Sequence, residues 1–459
     1  MATLKDAYKL IHEGALALSR IESAGMRIDE DYLNRTLEDV KRQIRLLESE
    51  LKGYEEFEIQ NKMFGTRTKI TSRQQLATVL FEKLGHKSKS KTSTGRKQLD
   101  ETALEAIGTP YTTKFLKLEK LRKLESTYLQ GVLKETVDGY LRPFFNLHLA
   151  TTFRSSSGSP NFQNIPTRDP EIAERIRRAF IPRDGYVLVE IDYSALEFRV
   201  AASFWRDQEM ISYASDPKKD IHRDCAAEIF MCEREDVSKQ ARYAGKNMFV
   251  FPQIYGDYYI NCARSCWEAM ENLDLRIDEV PMRRWMEVRG ITELGACNSK
   301  YPPIPGTFEW HMKKVQDTFN RWFPKFSKSK EVWWQEYKSK GYFDLMTGFR
   351  IQGVYKKNFV FNCPIQGPAF HLLLWSLTQL VRWIEKEKMK TKIVGQIHDS
   401  IVADVHKSEL RDYVQKARQV MTEDVRKHWD WVVTPLDVEV EIAEENWFEK
   451  RSYNSDEDY

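Results

Sequence analysis

"VGQIHDSIVADV", Val394 to Val405, sets apolar residues close on both sides of His398-Asp399-Ser400. The run of Val and Ile predicts two short strands joined by a tight turn. Asp and Ser are ordinary turn formers, and that property alone accounts for their presence here. A sharper reading has the turn present Asp399 to a cation at a sheet edge, which requires a second carboxylate from elsewhere in the chain.

That partner is Asp192. "GYVLVEIDYSALEFRVAASF" reads as an apolar strand from Tyr186 to Ile191 that runs into a helix after Asp192, where polar chemistry begins. Two carboxylates on adjacent strand ends can hold two Mg2+ ions, one lowering the pKa of an attacking hydroxyl and the other stabilising a leaving pyrophosphate. Each acid by itself remains compatible with a purely structural role.

A third element bears on the choice. "RYAGKNMFVFPQIYG", Arg242 to Gly256, puts Arg242 and Lys246 four apart on one helical face. "DIHRDCAAEIF", Asp220 to Phe230, adds His222 on a preceding helix. Three such donors facing one way form a triphosphate clamp, because phosphoryl transfer depends mainly on positioning and charge neutralisation. A salt-bridged surface face is the plainer alternative for a lone Arg/Lys pair.

The composition is that of a globular protein. Of 459 residues, 41% are hydrophobic and 30% charged, which argues against disorder and allows about three units at roughly 150 residues each. A net charge of +3 says little about partners, so any basic surface must be local. No apolar run approaches the ~20 residues of a membrane span. "MATLKDAYKL" lacks the apolar centre of a signal peptide, so the expected location is the cytoplasm, with no membrane partner. The six cysteines form no disulfide framework, and Cys262 and Cys266 lack further ligands at zinc spacing.

Residues 4 to 136 read as mostly helical. Gly25 is expected to end the first helix, and Asp29-Glu30-Asp31 to cap the second rather than bind metal. Ser72 with Gln75 reads as a capping box, and Asp100 as another cap. "HKSKSKTSTGRK" carries Lys87, Lys89, Lys91, Arg96 and Lys97 without an acid, as a solvated loop or a flexible phosphate-gripping tip would. From Leu141 the chain turns to short extended segments; 206 to 345 is again largely helical. A buried helix from Gln366 to Trp383 and a final strand "LDVEVEIA" follow.

In chain order, "FRSSSGSPNFQNIP", "DYSALEFR", "RYAGK" with "IYG", "NCPIQG" and "QIHDS" resemble the motifs of family A DNA polymerases, the bacterial polymerase I and phage replicative group. The resemblance spans nearly the whole chain. It implies an α+β right-hand fold whose palm holds an antiparallel sheet, with helical fingers and a helical thumb. The thumb would be 1–140, the palm 141–205 and 346–459, and the fingers 206–345. It implies a template-directed DNA polymerase, a nucleotidyltransferase of DNA replication joining a primer 3′-hydroxyl to the α-phosphate of a dNTP.

The resemblance also assigns roles. Asp192 and Asp399, with the Tyr193 carbonyl, would hold two Mg2+ ions, for which Mn2+ can substitute. His222, Arg242 and Lys246 would bind the triphosphate, Lys246 also protonating the departing pyrophosphate. Glu197 would exclude a ribose 2′-hydroxyl, and Tyr255 would lie beside the nascent base pair. Arg154, Asn161, Gln163, Asn362 and Gln366 would contact primer and template, largely through the minor groove. His398 would lie by the primer end, and the basic tip would grip the duplex backbone. The partners are then primer-template DNA and dNTPs. In the family a proofreading domain of about 200 residues precedes the thumb, and this sequence starts almost at the thumb, so no proofreading exonuclease is expected within it: proofreading is absent, supplied by a separate exonuclease, or carried on a portion outside this sequence. A processivity factor is a further candidate partner.

Departures from the family pattern carry expectations of their own. Lys246 to Tyr255 is one residue longer than usual and contains Pro252, which predicts a kink or π-type bulge at about 247–251. The bulge returns Tyr255 to the active-site face and favours Phe251 over Val250 against the incoming base. Ser400 stands where Glu is usual, Ala195 for Gln and Phe153 for Gly. Single-subunit RNA polymerases also resemble "HDS", so an RNA-making or primase-like enzyme is one alternative, opposed by Glu197. A catalytically inactive DNA-binding accessory is another, opposed by the two acids and the clamp.

Overall fold

Strand Tyr186–Tyr193 alternates Val187, Val189, Ile191 and Tyr193, all buried, with Glu190 and Asp192 on the opposite face. It is the middle of a five-stranded antiparallel sheet, ordered Lys392–Ile397, Ser400–His406, Tyr186–Tyr193, Val438–Ala443, Arg451–Ser452. The register pairs Ile401 with Ile191 and Ala403 with Val189 on one side, and Val440 with Ile191 on the other. Branched side chains therefore gather on one face, and the other presents Ser400, Asp192 and Glu439 in a row. On the apolar side the Tyr193 hydroxyl lies 3.2 Å from Ser376 Oγ and donates to the Met421 carbonyl at 2.8 Å.

This computed structural model describes residues 2–87, 98–167 and 169–455. Lys89, Lys91, Arg96 and Lys97 of the basic tip lie outside them, and Lys87 at its edge is exposed.

Ser376 belongs to helix Lys357–Lys386, which starts well before Gln366 and runs through Pro364 and Pro368. Each proline forfeits a helical hydrogen bond and crowds the preceding turn, which is why the sequence suggests a later start. Burial of Val360, Phe361, Ile365 and Leu372 on both sides offsets that cost.

The N-terminal helices follow their caps. Thr3 and Asp6 form a capping box for Leu4–Ala24, which ends at Gly25 with φ +63°. A Cβ at Gly14 would come within 2.7 Å of Leu374, so the bare glycine lets this helix lie close on Lys357–Lys386. Asp29 accepts the Tyr32 N–H at 2.8 Å and caps Glu30–Leu51, as its first-turn acids suggest. Asp100 likewise accepts from Ala103. The box at Ser72 is only half made: Ser72 accepts the Gln75 N–H, while the Gln75 side chain takes the Lys69 N–H instead. Among the described residues no helix is long and apolar enough to cross a membrane.

Between the halves of the sheet, helices Ile221–Phe230 and Lys239–Gly245 pack closely enough that a Cβ at Gly245 would meet the His222 carbonyl at 2.6 Å. Lys239–Gly245 then widens into a π-helical turn, Lys246–Val250, before tightening again at Phe251–Ile254. The bulge predicted from Pro252 is present and begins one residue earlier than expected. It leaves Phe249 and Val250 in the core and Phe251 partly exposed.

Candidate active site

The two central acids meet. Ser400 pairs with Asp192 in register, and the Tyr193 N–H donates to the Asp399 carbonyl at 3.3 Å. The turn at His398, whose φ is +49°, carries Asp399 to the end of Asp192's strand. Enclosure at the cleft floor and then the neighbouring charges of Asp399 and Glu190 push Asp192 up to about 8, against the pull of Lys246. Its side chain still reaches solvent. A cation placed beside Asp192 offsets both its enclosure and the repulsion of its neighbours, and so favours its ionised form. Carboxylate and carbonyl oxygens are the donor set Mg2+ takes, and Mg2+ leaves much of its shell to water and substrate phosphates. No group of three His, Cys, Asp or Glu side chains able to hold a metal ion is found among the described residues.

Lys246 influences both Asp192 and Glu197, so the helix bearing it faces the acids. Its ammonium lies 5.3 Å over the Phe251 ring, which stacks on Tyr255 at 5.9 Å and 20°. The Tyr255 hydroxyl donates to Glu197 Oε2, and Gln366 also hydrogen-bonds Tyr255. The extra helical residue is thus absorbed before Tyr255. Arg242 Nε donates to Asp220 at 2.6 Å. His222 is buried, and burial with the adjacent Lys246 and Arg242 pushes it down to about 3, so it enters the site as a neutral donor. Neither of its ring nitrogens has a hydrogen-bond partner among the described residues.

Several of the residues expected to touch DNA are held by neighbouring side chains. Arg154 Nη1 is 3.6 Å from Glu197 Oε1, and Asn161 accepts from Ser157 Oγ. Asn362 keeps a buried amide oxygen without a partner. Gln163 donates to Ser155 Oγ at 2.8 Å and to Gln396 Oε1 at 2.7 Å, and Gln396 in turn donates to the His398 carbonyl at 2.8 Å.

Sequence reasoning missed Ser155 and Gln396, which tie the "FQN" loop to the turn carrying Asp399. It also missed Arg223 and Lys239, which with Arg242, Tyr243, Lys246 and Asn247 line an open pocket of 560 Å³ containing four cations and no acid. Helical spacing was the available signal for Lys239, three residues before Arg242 and on the same face.

Residues 37–266 and 311–449 match the family described as DNA polymerase family A. The thermostable DNA polymerase I of Thermus aquaticus is 29% identical over 447 residues, 93% of this chain and 46% of its own length. DNA polymerase I of Bacillus subtilis is 29% identical over 430 residues, 89% and 42% respectively. The chain therefore spans about half the length of these curated relatives. The POL domain of Pol1 from M. smegmatis, solved in complex with DNA primer-template and dNTP, shares the fold with a TM-score of 0.73 at 23% identity, over 95% of this chain and 70% of that one. The α+β right-hand architecture expected from the motifs is the one observed.

Proposed function

The chain belongs to DNA polymerase family A, and from that premise we propose that it extends a primer 3′-hydroxyl with dNTPs under the direction of a template strand. The observation that carries this reading is the Tyr193 N–H to Asp399 carbonyl bond, which sets Asp192 and Asp399 side by side within reach of Lys246. We assign the thumb to 1–140, the palm to 141–205 and 346–459, and the fingers to 206–345.

Asp192, Asp399 and the Tyr193 carbonyl would hold two Mg2+ ions, which when bound supply the positive charge that acidifies the primer hydroxyl and stabilises departing pyrophosphate. Lys246, Arg242 and His222 bind the triphosphate, and Lys246 hands a proton to the pyrophosphate as it leaves. Arg242 exchanges its Asp220 partner for phosphate oxygens, and neutral His222 donates one N–H without adding charge. Phe251 and Tyr255 form the surface against which the new base pair stacks. Glu197, bonded to Tyr255, fills the volume a ribose 2′-hydroxyl would need, which favours deoxyribonucleotides over the RNA-making alternative. Arg154, Asn161, Gln163, Asn362, Gln366 and His398 hold primer and template, and the basic stretch from Lys87 grips the backbone.

Primer extension on a defined template, run with dNTP and rNTP pools, tests the reading. Extension is expected with dNTPs and Mg2+, and Asp399→Ala is expected to abolish it while leaving primer-template binding intact. Extension with neither pool overturns the assignment; robust extension with rNTPs overturns the choice of substrate.

A further inference from the structure

Glu190 lies two residues before Asp192 on the same face of the central strand, and the mechanism above does not use it. Its side chain is only 14% exposed. Both carboxylate oxygens are engaged: Oε1 accepts from Ser400 Oγ at 3.3 Å, and Oε2 from Trp447 Nε1 at 2.8 Å and Lys450 Nζ at 2.7 Å. Ser400 shares its hydroxyl proton with the Ile397 carbonyl at 3.1 Å, which closes the turn bearing His398 and Asp399. One hydroxyl therefore joins the turn of Asp399 to the acid behind Asp192.

A carboxylate this little exposed is costly to enclose beside two other acids, and an apolar residue at 190 would avoid that cost. The fold instead keeps it ionised. Lys450 pairs with the carboxylate as an ion pair at 2.7 Å, and the Trp447 indole N–H donates to the same oxygen. The Arg177 guanidinium is anchored 4.0 Å over the Trp447 ring. A charge maintained at such cost next to a cation site has a use there.

We propose that Glu190 is a positioning residue for the cation pair: through Ser400 it sets Asp399 beside Asp192, and its fixed charge tightens the grip of both on divalent cations, supplied from the neighbouring strand because position 400 carries no acid. The proposal rests on the polymerase reading, in which Asp192 and Asp399 take two cations.

The test measures Mn2+ binding directly, by the electron paramagnetic resonance signal of free Mn2+ over the chain bound to primer-template, alongside primer extension against Mg2+ concentration. Glu190→Gln is expected to weaken Mn2+ binding about tenfold and to raise the Mg2+ needed for half-maximal extension similarly, the scale of losing a group that orients a metal ligand. Primer-template affinity, and the dNTP KM at saturating Mg2+, are expected to stay unchanged. Ser400→Glu on the Glu190→Gln background restores an acid facing Asp192 and is expected to recover cation binding, a result loss of folding would not allow. Glu441→Gln, which removes the other carboxylate on Lys450, is expected to change neither reading. Wild-type cation binding and Mg2+ dependence in Glu190→Gln, or an equal loss in Glu441→Gln, overturns the proposal. A wild-type chain that extends no primer yet binds Mn2+ in a Glu190-dependent way sinks the polymerase reading and leaves the role of Glu190 standing.

Discussion

Tyr255 and Glu197 touch: the phenol at the end of the bulged helix donates to the carboxylate one helical turn after Asp192's strand. Arg154 Nη1 lies 3.6 Å from the other oxygen of the same carboxylate. Enclosure raises Glu197, while the Tyr255 hydrogen bond and Arg154 pull the other way, so the acid is held by several partners and has little freedom to move aside. A hydroxyl added to the sugar would have to displace one of these contacts and leave a buried polar group unpaired.

Glu197→Ala removes that obstruction. The ratio of kcat/KM for ATP over dATP in single-nucleotide incorporation is expected to rise by at least about tenfold, the scale on which a pocket loses discrimination when its polar wall is removed. An unchanged ratio means the sugar is selected elsewhere.

Gly256 offers a structural test of how Tyr255 is aimed. Its φ is +83°, and a Cβ would lie 2.2 Å from the Phe361 ring. Gly256→Ala combines a left-handed backbone penalty with overpacking, and is expected to destabilise the chain by about 2 to 4 kcal/mol in urea unfolding. Because the strain falls next to Tyr255, the dNTP KM should rise even where the protein remains folded.

Much of the site was legible because it follows local periodicity. Alternation in Tyr186–Tyr193 and around Asp399 places both acids at strand ends, whereas the pairing that joins those two strands is long-range and was legible only through the family motifs. Pro252 in an over-long helix announced the π turn, since a missing N–H needs a wider turn to accommodate it. What could not be read were groups brought together by tertiary contact. Gln163 meets Gln396, and Glu190 meets Trp447 and Lys450, across long stretches of chain with no pattern linking them. Helix Lys357–Lys386 was misjudged at its start because its prolines argue locally for a break that burial overrides.

His371 makes the acid stability of the fold measurable. It is fully buried, takes a 2.6 Å hydrogen bond between Nδ1 and Thr347 Oγ1, and stacks on Phe349 at 4.4 Å. Burial pushes it down to about 3, against a smaller opposing pull from the Phe153 carbonyl. The unfolded chain therefore binds a proton below about pH 6.5 that the folded chain refuses until about pH 3. Stability attributable to this group is intact above pH 6.5 and falls as the pH drops, by about 1.4 kcal/mol per pH unit within the window. Urea unfolding of His371→Asn is expected to show a shallower loss between pH 6 and 4 than the wild type, on the scale set by that slope. Parallel curves would mean that His371 charges without unfolding.

The cationic pocket separates binding from chemistry. Lys246 faces the acids, and Arg223 and Lys239 share the pocket wall with it. A charge that holds substrate and transition state alike affects KM alone; one that moves a proton in the transition state affects kcat. Lys239→Ala and Arg223→Ala are expected to raise the dNTP KM severalfold with kcat unchanged, and more so at low salt, where exposed charges are least screened. Lys246→Ala is expected to lower kcat by about 10² to 10⁴, the range for a lost general acid. Pre-steady-state incorporation of a single dNTP resolves the two classes. Equal losses of kcat in all three variants would place proton transfer outside Lys246 and make the whole pocket a binding surface.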